Sequence, residues 1–410
     1  MRLTDEEDAI LNGSAGPIRA RAMAHIVEVG RFFDAERLVE VSQAHIMADT
    51  EALGETGVAY LEGLAAADWE DRRVVIPTIT DPRGADFKAY DRIRHDRAIV
   101  TLEERARDAF MALGVMMTDT CINYQTIMPP VKGEHLAFGD TGVCIYSNSV
   151  FGARTNYEGG PSALASALTA RAPAYGFHLD RNRRATQRVI VEAELADYLD
   201  WGALGALIGE RMGSYFEVPY VEGINAANSD QLKHFGAAMA SYGSTALYHV
   251  AGLTPEADEA LDGREVPEIK LNRADIDSYA DRFRREDDTL DVVVFAVPQL
   301  SLIELGELAG HLDGRRVVDG TTLIATTNPE MKSAADRMGI TKRIEDAGGI
   351  LLEGVCYYQM HARELAEANG WHRLMTNSAK LTNTIAGYGY APMVASMARC
   401  VDSAVAGRVV

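Results

Sequence analysis

Three cysteines stand where the chain turns out of regular structure, and thiolates are ligands for soft metals. Cys121 lies in Thr118-Asp119-Thr120-Cys121-Ile122-Asn123, among hydroxyls and amides. Cys356 closes the run Leu351-Leu352-Glu353-Gly354-Val355, and Cys400 sits in Met397-Ala398-Arg399-Cys400-Val401-Asp402. Three thiolates can hold an iron–sulfur cluster and leave one iron open to a substrate. Spacing alone says little, because no Cys-x-x-Cys is present and a free Cys is commonly a small core residue. Cys144, within Val143-Cys144-Ile145-Tyr146, reads as core and is set aside as a ligand.

A Gly-rich segment lies between the first two of these thiols: Phe151-Gly152-Ala153-Arg154-Thr155-Asn156-Tyr157-Glu158-Gly159-Gly160-Pro161-Ser162. Backbone N–H groups at a helix start bind anions, helped by the helix dipole. Arg154 can pair bidentately with a carboxylate, Asn156 can orient it, and Glu158 can hold Arg154. The plainer reading is a glycine turn that packs tightly. No Lys follows the glycines as in a phosphate loop, and the dinucleotide pattern Gly-x-Gly-x-x-Gly is absent. Met375-Thr376-Asn377-Ser378-Ala379-Lys380 is a third polar cluster, either a substrate contact or a solvated loop. His45 can move a proton, although a lone His is more often structural. Other histidines, including His178 and His249, lack metal-ligand spacing.

The 410 residues are too many for one simple core, so two or three packed units are expected. Sixty acidic against 40 basic residues give a formal charge of -20, which disfavours nucleic acid and anionic lipid as partners. No apolar run reaches the roughly 18–20 residues of a membrane span. The acidic start, Met1-Arg2-Leu3-Thr4-Asp5-Glu6-Glu7-Asp8, has no apolar signal-peptide core, so a cytoplasmic protein is expected. Four cysteines in so long a chain argue against a disulfide framework.

The first 70 residues read as helical, with Thr4 and Glu7 forming a capping box and Pro17 opening a second helix. Arg73 to Pro77 reads as a buried strand followed by a polar loop, Thr78 to Asp86. Leu102 to Leu113 reads as a helix and Val143 to Tyr146 as a strand. A helix then runs from Ser162 to Ala170. From about residue 285 the pattern alternates. Strands are expected at Leu290–Val297, Arg316–Val318, Thr322–Thr326 and Ile350–Val355, and helices at Ser301–His311 and Pro329–Met338. Such alternation means an α/β fold with a doubly wound parallel sheet, whose ligands gather at the carboxyl ends of strands. Cys356 falls at one of those ends. Approximate regions are 1–200, 201–345 and 346–410.

Several stretches together resemble the large catalytic part of the aconitase X family, a branch of the aconitase superfamily. They are Leu3 to Gly13, Ala44-His45, Ile76 to Asp86, Asp119-Thr120-Cys121, Asn148 to Pro161, Thr254-Pro255-Glu256, Thr376 to Lys380, and Cys400-Val401. Arg154-Thr155-Asn156-Tyr157-Glu158-Gly159 also resembles the Asn-Arg-Asn-Phe-Glu-Gly stretch of ordinary aconitases. Gly160 stands where those enzymes carry a further Arg, which argues for a substrate smaller than a tricarboxylate.

The resemblance implies an aconitase-like arrangement of mostly parallel, doubly wound sheets around a central cleft. It implies a cluster on Cys121, Cys356 and Cys400, [2Fe-2S] favoured over [4Fe-4S]. It also implies a substrate-binding set of Asn148, Ser149, Arg154, Thr155, Asn156, Glu158, Gly159, Gly160, Ser162, Asn377 and Ser378, with His45 and Lys380 as catalytic groups. The family's small swivel domain, which carries the serine base in ordinary aconitases, is expected as a separate small partner subunit. The implied reaction is dehydration of cis-3-hydroxy-L-proline to 1-pyrroline-2-carboxylate, with phosphomevalonate dehydration as the alternative. A metal-free binding protein of the same fold is the rival from another class, and a zinc hydrolase is disfavoured by the absence of His ligand spacing.

Overall fold

Short runs of β-branched and apolar residues with no polar face make strands that are buried on both sides. Val292–Phe295 is such a run, and it is the middle strand of the largest sheet. The computed structural model describes residues 1–410. The first part of the chain contributes β1 (Leu38–Glu40), β2 (Ala44–Ile46), β3 (Thr78–Thr80), β4 (Ala137–Phe138) and β5 (Arg171–Pro173). The middle contributes β6 (Gln187–Glu192), β7 (Pro219–Glu222), β8 (His249–Val250) and β9 (Glu268–Asn272). The last part contributes β10 (Val292–Phe295), β11 (Thr322–Thr327), β12 (Ile350–Glu353), β13 (Arg373–Thr376) and β14 (Ala391–Val394).

Three parallel sheets result, ordered β3-β2-β4, β8-β7-β6-β9 and β12-β11-β10-β13-β14, with a small antiparallel pair, β1-β5. The architecture is the α/β arrangement of parallel sheets expected from the alternation. The sheets divide the chain near 173–187 and 272–292, not at 200/201 and 345/346. Residues 200 and 201 lie inside the helix Tyr198–Met212, and β11 and β12 pair across residue 346.

The five-stranded sheet separates two apolar layers. Val293, Phe295, Leu323, Ala325, Leu351 and Met375 face one of them, and Val292, Val294, Ile324, Leu352 and Leu374 face the other. This is the period-2 alternation of a pleated strand.

Several local expectations change in the structure. Val143–Tyr146 is helical, part of Thr141–Val150. Asp140 caps that helix by accepting from the Val143 N–H at 2.9 Å. Residues 142–149 are all buried, so the helix shows no amphipathic stripe and reads like a strand. The strand expected at Arg73–Pro77 begins later, at Thr78, after the proline that cannot donate to a ladder. The first 70 residues hold β1 and β2 besides their helices, and Arg316–Val318 forms no strand. The capping box is present: Thr4 N–H donates to Glu7 at 2.9 Å and Glu7 N–H to Thr4 at 3.2 Å.

Two helices of the middle part touch backbone to backbone. A Cβ added at Gly205 of Tyr198–Met212 would lie 2.1 Å from the Phe235 carbonyl oxygen, and one at Gly243 would lie 2.0 Å from that of Gly209. The partner helix, Ser229–Gly243, also carries the ionic joint to the last sheet. Lys233 is enclosed by Asp230, at 3.1 Å, and by Glu304 of the helix Leu302–His311. His234 adds a second contact to Glu304 at 2.6 Å.

Burial alone would raise the Glu304 pKa, but Lys233 and His234 bring it down to about 2. A depressed carboxylate adds stability above its ordinary value of 4.5 and loses it as pH falls toward about 2. Glu304→Gln removes one of the two carboxylates around buried Lys233 and the charged partner of His234, and should cost about 3–5 kcal/mol in denaturant unfolding. The variant should also lose less stability than the parent between neutral pH and acid. Equal midpoints at neutral pH would show that the joint contributes nothing.

Candidate active site

The carboxyl ends of two parallel sheets face one another, and ligands of such sheets bind beyond these ends. Asp49, Asp81 and Asp140 follow β2, β3 and β4 closely, and Gln299, Asn328, Cys356 and Ser378 follow β10, β11, β12 and β13. Arg83 fastens one edge to the other. Its N–H donates to the Gly354 carbonyl at 3.0 Å, and its guanidinium donates to the Glu353 carbonyl at 3.1 Å. The same guanidinium pairs with buried Asp119.

The Cys121 loop lies between the edges. Thr120 N–H donates to Thr80 at 3.0 Å, and the Asn328 side-chain amide donates to the Thr120 hydroxyl at 3.0 Å. Gln299 completes the attachment. Its N–H approaches Cys121 Sγ at 3.4 Å and its Oε1 accepts from Cys121 N–H at 3.3 Å. Its Nε2 donates to the carbonyls of Asp119, at 3.0 Å, and Val355, at 3.2 Å. One amide thus ties the segment of Cys121 to the residue before Cys356.

His45, at the middle of β2, is fully buried, and its Nε2–H donates to the Thr120 carbonyl at 2.8 Å. Burial lowers its pKa against the opposing effects of that bond and of Asp140, so the ring is neutral and Nδ1 carries a free lone pair. Asp81 Oδ1 stands 3.6 Å from His45 Nε2 and has no hydrogen-bond partner. Its other oxygen accepts from Gln359 at 3.1 Å. Burial, with Asp140 and Asp49 nearby, pushes the Asp81 carboxyl well up, outweighing Gln359 and Lys380. Burial likewise lifts Asp49 to about 6.

Lys380 opens the helix Ala379–Ile385 and reaches Thr141 at 3.2 Å and Asp140 at 3.5 Å. Burial acts to lower its pKa, but Asp140, Cys121, Cys356 and Asp81 raise it, so the ammonium stays charged. Burial also raises the thiols of Cys121 and Cys356, and each lies near Asp81, Asp140 and Lys380.

His45, Lys380, Cys121, Cys356 and Ser378 are therefore brought together, with Asn377 beside them on the β13 edge. The Ser378 hydroxyl caps its helix at Leu381 N–H and bonds the Val297 carbonyl. Other expected residues serve elsewhere. Arg154 lies in a surface cleft with Asp180, at 2.5 Å, and Glu256, at 3.9 Å, so its charge is already paired. The Asn148 amide donates to Thr155 and Ala246 carbonyls, and Ser149 accepts from Tyr248 N–H. Thr155 accepts from Phe138 N–H, and Asn156 accepts from Phe177 N–H and the Tyr215 hydroxyl. These four shape the scaffold. Gly159 and Gly160 start the helix Gly160–Thr169 beside Met47, and Ser162 bonds His25 at 3.0 Å. Glu158 is buried with one oxygen unpartnered, and burial lifts it to about 7.

Cys400 does not reach the other thiols. It sits in the helix Met397–Ala406, packed in the layer of Val293 and Phe295, and its Sγ contacts the Ala395 carbonyl at 3.5 Å. Cys356 packs in the opposite layer, with the sheet between them. No three His, Cys, Asp or Glu side chains stand together as a metal-holding group. The expected set Cys121, Cys356 and Cys400 thus does not fit a three-thiolate iron–sulfur cluster. Asp81, Asp140, Gln299, Asn328 and Gln359 went unnamed in the sequence reading, although Asp81 lies in the polar loop it marked after a strand.

Family models for the first, second and third domains of aconitase X match residues 1–181, 185–281 and 290–406. The chain is 36% identical to the phosphomevalonate dehydratase large subunit of Methanothermobacter thermautotrophicus, over 93% of each protein. It is 29% identical to the cis-3-hydroxy-L-proline dehydratase of Pseudomonas aeruginosa, over 99% of this chain and 70% of that one. The crystal structure of Thermococcus kodakaraensis aconitase X in its holo-form superimposes with a TM-score of 0.88 at 30% identity, covering 98% of this chain and 100% of that one. The three domain matches in series, the length of the sequence similarity and the shared fold place this chain in the aconitase X family.

Proposed function

We propose that the chain is the large subunit of a hydro-lyase that removes water from a β-hydroxy carboxylic acid. The observation that carries this reading is a buried carboxyl with an unpartnered oxygen, Asp81, whose pKa burial pushes well up, near a buried ammonium, Lys380, between the two sheet edges. Both kinds of dehydratase among the relatives are named for β-hydroxy carboxylic acids. Removing water from such an acid takes a proton from the carbon beside the carboxylate and the hydroxyl from the next carbon. Lys380 neutralises the carboxylate and the enolate-like charge that grows on it. Asp81 gives its proton to the departing hydroxyl, which leaves as water. His45 holds the Thr120 carbonyl and so fixes the Cys121 loop beneath the substrate.

Phosphomevalonate is the first substrate to test, since identity is higher to the phosphomevalonate dehydratases; this reverses the order expected from the sequence. The lining supports cis-3-hydroxy-L-proline as a second reading. Asp140 lies 3.5 Å from the one lysine and Asp49 stands near Asp81, so acidic groups outnumber the cation, a setting that suits a substrate ammonium better than a phosphate. The name "large subunit" of several relatives supports a small partner subunit here as well, and we assign the proton-abstracting serine to it.

Incubated with its small subunit, the chain should dehydrate one of these two acids, seen as product by mass spectrometry. Turnover of neither would leave the binding-protein reading in place. Lys380→Met should lower kcat/KM by about 10- to 150-fold, the value of a hydrogen bond to a charged group at about 1.5–3 kcal/mol. A parent-like kcat/KM would remove Lys380 from the site. A raised carboxyl pKa means that the acid form is lost as pH rises, so kcat should fall on the alkaline side. Asp81→Asn should cut kcat by roughly 10²–10⁴-fold and abolish that alkaline limb. A limb that persists in the variant would assign the proton to another group.

A further inference from the structure

The thiols of this chain are arranged for two, not three. Cys121 and Cys356 belong to loops on the facing edges, tied together by Gln299, whose amide spans from the Cys121 backbone to the Val355 carbonyl. Cys144 is fully buried in the helix Thr141–Val150, with its Sγ against the Phe138 carbonyl at 3.1 Å and the Asn156 carbonyl at 3.4 Å. Cys400 is fully buried in the layer on the other side of the five-stranded sheet. Packed sheet and helix layers lie about 10 Å apart, and a thiolate must come within about 2.3 Å of its metal. Bringing Cys400 round to Cys356 would mean unpacking the helix Met397–Ala406 from β10 and β13, its neighbours in the core.

We infer that Cys121 and Cys356 form a two-thiol centre clamped by Gln299, and that Cys400 is a core residue with no part in holding metal or cluster. The remaining groups near the pair are Asp81, Asp140 and Lys380, two carboxyls and a cation rather than a third thiol. This inference rests on where the donors lie and is independent of which acid is dehydrated.

The test uses the chain with its small subunit, purified without oxygen and treated with ferrous iron and sulfide. Iron, sulfide and visible absorbance are measured per chain, with melting temperature as the check on folding. Cys400→Ala and Cys400→Val, the second chosen to fill the space, should keep the iron and absorbance of the parent. Where the parent retains iron, Cys121→Ser and Cys356→Ser should each lose at least half of it. A parent that retains no more iron than a variant lacking both Cys121 and Cys356 would overturn the two-thiol centre. Loss of iron from either Cys400 variant at a parent-like melting temperature would overturn it. These readings do not depend on turnover, so failure of the dehydratase proposal and failure of this one are distinguishable.

Discussion

Two parallel sheets meet at their carboxyl ends, and everything at the site follows from holding those ends in register. Arg83 and Gln299 do this with hydrogen bonds to backbone atoms on both sides. Such bonds are strong where water is excluded, and each leaves a costly orphan if broken. Because every parallel strand ends on the same side, one joint positions several side chains at once: three aspartates from one sheet, and two amides, a thiol and a hydroxyl from the other. The price is a crowd of acidic groups out of water. Burial pushes the Asp81 pKa well up, which favours its neutral form, and the one ammonium, Lys380, lies within reach of Asp140.

Three strands of the last sheet, β10 to β12, were the most legible part of the chain, while β13 and β14 were not expected. The sheet's strands are short, apolar and followed by helices with Ser, Asn or Pro at their starts, so periodicity and capping agree. The helix Thr141–Val150 was misread because it is buried all round, and a helix without a polar face offers no period to count. β1 and β2 were missed because three-residue strands carry too little pattern to stand out between helices.

At the site, residue type misled more than pattern did. Arg154 looked like a carboxylate clamp, but in a chain with a large acidic excess a basic side chain has many possible partners, and Asp180 and Glu256 took it. Asn148, Thr155 and Asn156 carry the right atoms, yet they spend them on backbone groups of irregular segments that no sheet satisfies. Cys400 follows β14 closely in sequence, but the helix that carries it crosses to the far layer, which only the handedness and packing of the whole sheet decide. Lys380 and His45 were singled out by the family resemblance rather than by any local pattern, and the structure sets both, buried, on short elements that end at the cleft.

The glycine contacts at Gly205 and Gly243 have a mechanical meaning. Sliding between packed helices works by side chains shifting across the interface, and here two backbones meet with no side chains between them. The same helix, Ser229–Gly243, also packs against Thr141–Val150 from the first part of the chain and Ala379–Ile385 from the last. It is a shared axle in contact with elements from all three parts, so a shift of any one of them has to carry this helix along.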